Sequence, residues 1–212
     1  MPVTQVGLDR NEILYTSGEH AYSLFFVESG AVKTVAHSTA GKDCLLDICV
    51  SGGIVGESSL ANQTRAETAI AMMPSTVIHL AFDPLLDHMV EVDCVYLWAQ
   101  YLLWRLRERQ EIITSLVTAD SEWRLAATLL RLARRLGTRI GGRLRIDLRI
   151  THQELSEMVG TTRSRIGHFL KRFRELGLIV PVSGRSLVVY EARLRHYVEL
   201  GSCGRASQPP LR

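Results

Sequence analysis

The apolar pattern of this 212-residue chain changes its period near Asp93, and that change constrains the fold more than any other feature of the sequence. Up to about residue 82, apolar residues come in short alternating or continuous runs, such as Leu24 to Val27 and Val77 to Leu80. Turn signals separate them at Ser17-Gly18, Ser29-Gly30, Ala40-Gly41 and Ser51-Gly52-Gly53. Closely spaced strands with glycine turns predict a small β-barrel or roll. From Asp93 onward the spacing is helical. A period of two and a period near 3.6 cannot share one element, so the chain divides into a β part and a helical part, and its length allows two small domains.

The first helical stretch carries Val95, Ala99, Leu102, Leu106, Arg109, Ile113 and Leu116 at alternating steps of four and three. This is an a/d seam of about three heptads, and it favours a parallel homodimer. The competing reading lays the helix on its own domain, with Trp98, Tyr101 and Trp104 beside the seam serving that packing. Arg109 falls at a seam position. It would either face its symmetry mate at the dimer axis or leave the seam to pair with Glu108 or Glu111.

Charge separates the two halves. Residues 1–117 hold seven Lys and Arg against fourteen Asp and Glu, whereas residues 118–212 hold eighteen against eight, giving −7 and +10. The C-terminal half is therefore the one suited to a polyanion, although solvated helix faces would show the same excess.

The most apolar stretch, Val95 to Trp104, ends at Arg105, short of the roughly 20 residues a membrane span needs. The start MPVTQVGLDR has neither a basic leader nor a cleavage site, so the expected location is the cytoplasm, away from membranes. Cys44, Cys49, Cys94 and Cys203 have no CxxC pair and no zinc spacing, and they are expected to be small buried hydrophobes. The sequence has no P-loop, HExxH or GxSxG motif, and thus no sign of an enzyme.

Asp120 or Ser121 can cap a helix with the apolar face Leu125, Leu129, Leu132 and Leu136, ended by Gly137 and followed by a strand at Leu144 to Leu148. Thr151-His-Gln-Glu154 then forms a capping box for a helix that turns Leu155, Met158 and Val159 inward and stops at Gly160. Thr161 and Thr162 offer the next cap, before the stripe Ile166, Phe169, Leu170 and Phe173. Two short helices joined through a glycine make a helix-turn-helix, and Ile179 to Tyr190, turning at Ser183-Gly184, reads as a wing.

The second helix presents Arg163, Ser164, Gly167, His168 and Lys171 to solvent, with Arg172 and Arg174 at the flanks. Its first turn is the part that reaches base edges. Arg163 is placed to fork onto guanine, and Ser164 and His168 to read neighbouring bases. Lys171, Arg165, Thr161 and Thr162 suit phosphates, and Thr151 and Gln153 at the start of the preceding helix are further candidate DNA contacts. The partner so implied is double-stranded DNA.

Nearly the whole chain resembles the cyclic-AMP receptor protein and fumarate-nitrate regulator family. The resemblance is carried by Gly18-Glu19-His20-Ala21, Phe26 to Val32, Ile54 to Leu60, Ile150 to Leu170 and Leu187 to Tyr190. It implies an α+β chain: a cyclic-nucleotide-binding-like double-stranded β-roll (jelly roll) over residues 1–92, a dimerisation helix over 93–118 and a winged helix-turn-helix over 119–200. Residues 201–212 are expected to be a disordered tail. It further implies an effector-responsive transcription regulator, a homodimer that reads an inverted repeat and works with RNA polymerase.

In cyclic-AMP binders of this family a carboxylate, helix amides and an arginine hold the nucleotide. Those roles would fall here to Gly56, Glu57, Ser58 and Arg65, with Ala66 beside them and Arg109-Gln110 on the long helix. The implied effector is a nucleotide or another small anion, although a structural Glu57–Arg65 ion pair is the alternative. The Glu57 to Arg65 spacing is eight rather than ten, Ala66 replaces a usual Ser or Thr, and Arg109-Gln110 replaces the adenine-contacting Thr-Ser. No cysteine cluster precedes Cys44 to hold an iron-sulfur group, and His79 alone is a weak haem ligand, so no metal, haem or iron-sulfur signature is present.

Overall fold

The computed structural model of the chain describes residues 3–38, 41–182 and 186–206, with side chains as far as Gly201. It comprises two compact units, Met1–Arg109 and Gln110–Arg212.

The first unit holds β1 (Thr4–Leu8), β2 (Ile13–Tyr15), β3 (Ser23–Ser29), β4 (Ala31–His37), β5 (Asp43–Val50), β6 (Ile54–Val55), β7 (Thr68–Ala71) and β8 (Ser75–Ala81). They form two antiparallel four-stranded sheets, ordered β1-β8-β3-β6 and β2-β7-β4-β5. Leu8, Phe25, Val27, Val55 and Val77 from one sheet meet Tyr15, Val32, Cys49, Ala69 and Ala71 from the other in a single core. This is the expected roll. Its tightest turn lies between β3 and β4, where Gly30 sits at φ +87° and a Cβ would come within 2.6 Å of Ser75 Cα; only glycine fits there. Of the cysteines, Cys49 is buried as expected, whereas Cys44 is exposed because it faces outward on β5 and Cys94 is half-buried in the turn before the long helix.

After α1 (Phe82–Glu91), the long helix α2 (Val95–Thr118) has no buried residue among those described. Its half-buried residues, Trp98, Tyr101, Leu102, Arg105, Glu108, Arg109, Ile112 and Ser115, recur at helical spacing. In the first unit Trp98 stacks on Tyr101 at 5.6 Å. The seam expected from the sequence therefore divides. Leu102 and Arg109 join the half-buried stripe, while Val95 (39% exposed), Leu106 (55%), Ile113 (60%) and Leu116 (45%) keep an open apolar face. The heptad count merged two neighbouring stripes because both advance by three and four residues.

The second unit begins with the end of α2 and continues through α3 (Ser121–Leu136), capped by the Asp120 carboxylate, which accepts from Trp123 N at 2.8 Å. Strands β9 (Thr138–Ile140) and β10 (Arg143–Ile146), the latter shorter than the expected 144–148, lead to α4 (His152–Val159) and α5 (Arg163–Glu175). Strands β11 (Ile179–Val182) and β12 (Ser186–Val189) then complete a sheet ordered β11-β12-β10-β9. The expected wing turn at Ser183-Gly184 lies outside the described residues. The final helix α6 (Glu191–Ala206) packs on α3, where Trp123 Nε1 donates to Val198 O at 2.9 Å. The helix carries the chain past residue 200, so 201–206 are helical rather than part of a disordered tail.

The capping box is complete. Thr151 Oγ1 accepts from Glu154 N at 3.1 Å, and Thr151 N donates to the Glu154 carboxylate at 2.8 Å. Thr151→Ala is expected to lower the stability of the chain by about 1 kcal/mol, read from urea unfolding, with a smaller loss for Thr162→Ala, whose hydroxyl accepts a longer bond from Arg165 N at 3.3 Å.

Candidate functional site

Helix α4 ends at Gly160 in the left-handed conformation (φ +68°), and Thr162 caps α5 two residues later, so the chain reverses with almost no loop. Leu155 and Val159 on α4 and Ile166, Phe169, Leu170 and Phe173 on α5 are buried against α3, and Met158 is half-buried. The remaining face of α5 is left to solvent. Arg163, Ser164, Arg165, His168 and Lys171 are all exposed, with Gly167 half-buried between them. Lys171 Nζ lies 4.0 Å from Glu175, and the Arg165 guanidinium lies 5.8 Å from the centroid of the Phe169 ring. Thr162 is exposed, Thr161 half-buried, and Gln153 exposed with its amide on Glu157 at 2.8 Å. Thr151 is half-buried, and its hydroxyl is occupied by the cap, so its role here is structural first.

One residue that the sequence did not single out holds this unit together. Arg124 on α3 donates to Val159 O (2.8 Å) and Gly160 O (3.2 Å) at the end of α4, and to Ala119 O (2.7 Å) and Leu116 O (3.3 Å) at the end of α2. Carbonyls at a helix end lack intrahelical partners, and one guanidinium satisfies four of them. A lone arginine on a helix face gives no sequence signal for this, because its acceptors come from elsewhere in the chain.

In the first unit the expected effector residues do not form one cradle. Arg65 is 2% exposed, and its guanidinium points into the roll. Its Nη1 donates to Ser23 O and Gly56 O, both at 2.8 Å, its Nη2 donates to Ser23 Oγ at 3.0 Å, and it lies over the Tyr15 ring at 4.3 Å. Burial pulls its pKa below the usual guanidinium value, against the opposing pull of Tyr15 and Glu67. Tyr15 in turn donates to Glu67 at 2.9 Å, and burial followed by that carboxylate pushes its phenol well up. Arg65 is thus hydrogen-bonded within the core, and the expected Glu57–Arg65 ion pair is replaced by Glu57–Arg105. Ala66 lies beside it, with its carbonyl accepting from Ser17 Oγ at 3.3 Å.

Glu57 begins a four-residue 3-10 helix (Glu57–Leu60) after Gly56 and meets α2 instead. Arg105 bridges two carboxylates, with Nη2 to Glu57 and Nη1 to Asp47, both at 2.6 Å. Arg109 adds Nη2 to Asp47 at 3.0 Å and Nη1 to Leu46 O at 2.6 Å. Its guanidinium is thus turned onto β5, toward the buried Asp47 carboxylate and the carbonyl of the exposed Leu46, rather than onto Glu108 or Glu111. Gln110 is exposed. Burial opposes the Arg105 charge, but Glu57 and Asp47 together outweigh it and drive the guanidinium pKa up; burial also lifts Tyr101 beside it to about 12. Two donors near this contact, Ser58 Oγ and Arg105 Nε, are shut off from solvent without a hydrogen-bond partner.

Asp47 was legible only in part. It shares the inward side of β5 with Leu45 and Cys49, and an ionisable residue at such a position signals a buried partner. The partner itself depends on a bulge. Asp47 pairs with Thr34 and Leu45 with Val35, which leaves Leu46 out of the ladder with its carbonyl turned to Arg109.

A roll, a long helix with an open apolar face, and a winged helix-turn-helix whose solvent face is basic define a transcription regulator with a regulatory domain. Residues 5–90 match the cyclic nucleotide-binding domain model, and residues 123–197 match the Crp-like helix-turn-helix domain model. The cAMP-activated global transcriptional regulator CRP of Haemophilus influenzae is 29% identical over 187 residues, covering 85% of this chain and 81% of that protein. The global nitrogen regulator of Synechocystis is 26% identical over 194 residues, covering 90% and 86%. The solved structure of FixK2 from Bradyrhizobium japonicum shares the fold with a TM-score of 0.81 at 19% identity, over 92% of this chain and 97% of that one. The chain belongs to the cyclic-AMP receptor protein and fumarate-nitrate regulator family, and it is a transcription regulator with a helix-turn-helix DNA-binding domain.

No helix among the described residues is long and apolar enough to cross a membrane. Because Arg65 is a core residue, Arg65→Met is expected to destabilise the chain by about 3 kcal/mol through the stranded acceptors at Ser23 and Gly56, seen as a lower thermal midpoint at every ligand concentration.

Proposed function

We propose that the chain acts as a cytoplasmic homodimer that binds an inverted repeat in double-stranded DNA through Arg163, Ser164, Arg165, His168 and Lys171, and that it regulates transcription with RNA polymerase rather than catalysing a reaction. The observation that carries this is the capped α5, whose apolar side is buried while this polar and basic side is exposed from its first turn. A helix so presented fits a major groove, where Arg163 can donate two bonds to guanine and Ser164 and His168 can reach adjacent bases. Lys171, Arg165, Thr161, Thr162 and Gln153 then contact phosphates, and the excess positive charge of the C-terminal half supports them.

Dimerisation is supported by the open apolar face of α2, where Val95, Leu106, Ile113 and Leu116 remain uncovered in one chain. With a two-fold axis along that face, the operator half-sites would lie about 34 Å apart. The roll is the regulatory part. The Haemophilus relative is described as cAMP-activated. The inward Arg65 argues against transferring that nucleotide to this chain, and a regulator whose roll serves chiefly to build the dimer is the second reading.

Arg163→Ala is expected to weaken binding to the cognate site by about 1 to 3 kcal/mol and to relax selection at one base pair, whereas Lys171→Ala weakens all sequences alike. Selection of bound sequences from a random pool checks both; the same motif from both variants and wild type would rule out this face. Sedimentation should give a dimer at micromolar concentration, and Ile113→Glu should shift it toward monomer and lower affinity for a full palindrome to near that for a half-site.

A further inference from the structure

The cluster around Asp47 has a property that the proposed DNA face does not use. The two α2 guanidiniums that bond to the roll, Arg105 and Arg109, are matched by two carboxylates of the roll, Asp47 and Glu57. Asp47 is 4% exposed and takes a bond from each arginine, while its other oxygen accepts Ile48 N at 2.8 Å. The remaining arginine of the expected cradle, Arg65, is committed to Ser23 and Gly56 inside the core. An anion arriving here would find its cations neutralised and a buried carboxylate in its way, within a half-chain that carries net charge −7 over residues 1–117. Like charges a few ångströms apart in a low-dielectric site repel strongly, so the balance is decided by Asp47.

We propose that Asp47 is a specificity determinant of the regulatory roll: its carboxylate occupies the arginines of α2 as an internal counter-anion and makes the roll refuse small anions, nucleotides included. Removing the charge at this one position leaves Arg105 and Arg109 facing a single carboxylate, Glu57, with a net positive charge that an added phosphate can match. Asp47→Asn suits the test because the amide oxygen can still accept from Ile48 N.

The inference rests on the roll being the regulatory unit, and operator binding, measured on the same preparations, reports on the regulator reading separately. Calorimetric titration of the full chain uses cyclic AMP and inorganic phosphate as probes. Wild type is expected to give no saturable binding up to about 1 mM of either, a weak-affinity limit. Asp47→Asn, folded by circular dichroism, is expected to bind at least one of them with at least tenfold higher affinity, and Asp47→Asn/Arg109→Gln to lose that gain. Asp47→Ser takes its place if the asparagine variant does not fold. Saturable micromolar binding by wild type, or a folded Asp47 variant that binds no better than wild type, overturns the proposal.

Discussion

A carboxylate buried on strand β5 decides which side of the long helix faces its own roll. Asp47 receives Arg105 at 2.6 Å and Arg109 at 3.0 Å, and Glu57 holds the second arm of Arg105. Asp47 and Arg105 are largely withdrawn from water, where charges are tolerable only when matched and hydrogen-bonded, whereas Arg109 and Glu57 keep part of their hydration. The cluster therefore acts as a directional fastener. With Trp98 and Tyr101 in line with the two arginines, α2 has one rotational setting on the roll, and its other face, bearing Leu106 at 55% exposed, is left for a partner. Apolar contact alone would not choose between the two stripes, since both carry large side chains.

The residues that the family resemblance implies for a nucleotide cradle are bonded to separate parts of this roll. Gly56, Glu57 and Arg65 are all present, yet the geometry gives them different work. Gly56 lends its carbonyl to Arg65, Arg65 fills the core over Tyr15, and Glu57 holds α2. A motif specifies residue types at intervals. Which way a guanidinium turns depends on the acceptors around it, here Ser23 O and Gly56 O from two separate strand ends.

In the C-terminal unit, local chemistry and tertiary packing agree. The Thr151–Glu154 box, the left-handed Gly160 and the Thr162 cap form within a dozen residues and set the angle between α4 and α5. Arg124 then joins the α4 end to the end of α2 through backbone carbonyls, so the turn of the helix-turn-helix is fixed by long-range bonds as well as by its own caps.

The sequence by itself determined what depends on neighbours along the chain. Strand and helix periods placed the roll, the long helix and the helix-turn-helix; capping residues placed helix starts at Asp120 or Ser121, at Thr151, and at Thr161 or Thr162; apolar spacing selected Ile166, Phe169, Leu170 and Phe173 for the core and so left Arg163 and Lys171 outside. Tertiary structure alone decided the partners of Arg65, Arg105, Arg109 and Arg124. A long charged side chain reaches several ångströms in many directions, and its choice follows from acceptors that lie from 5 to 63 positions away along the chain, among them the Leu46 carbonyl that only a strand bulge exposes.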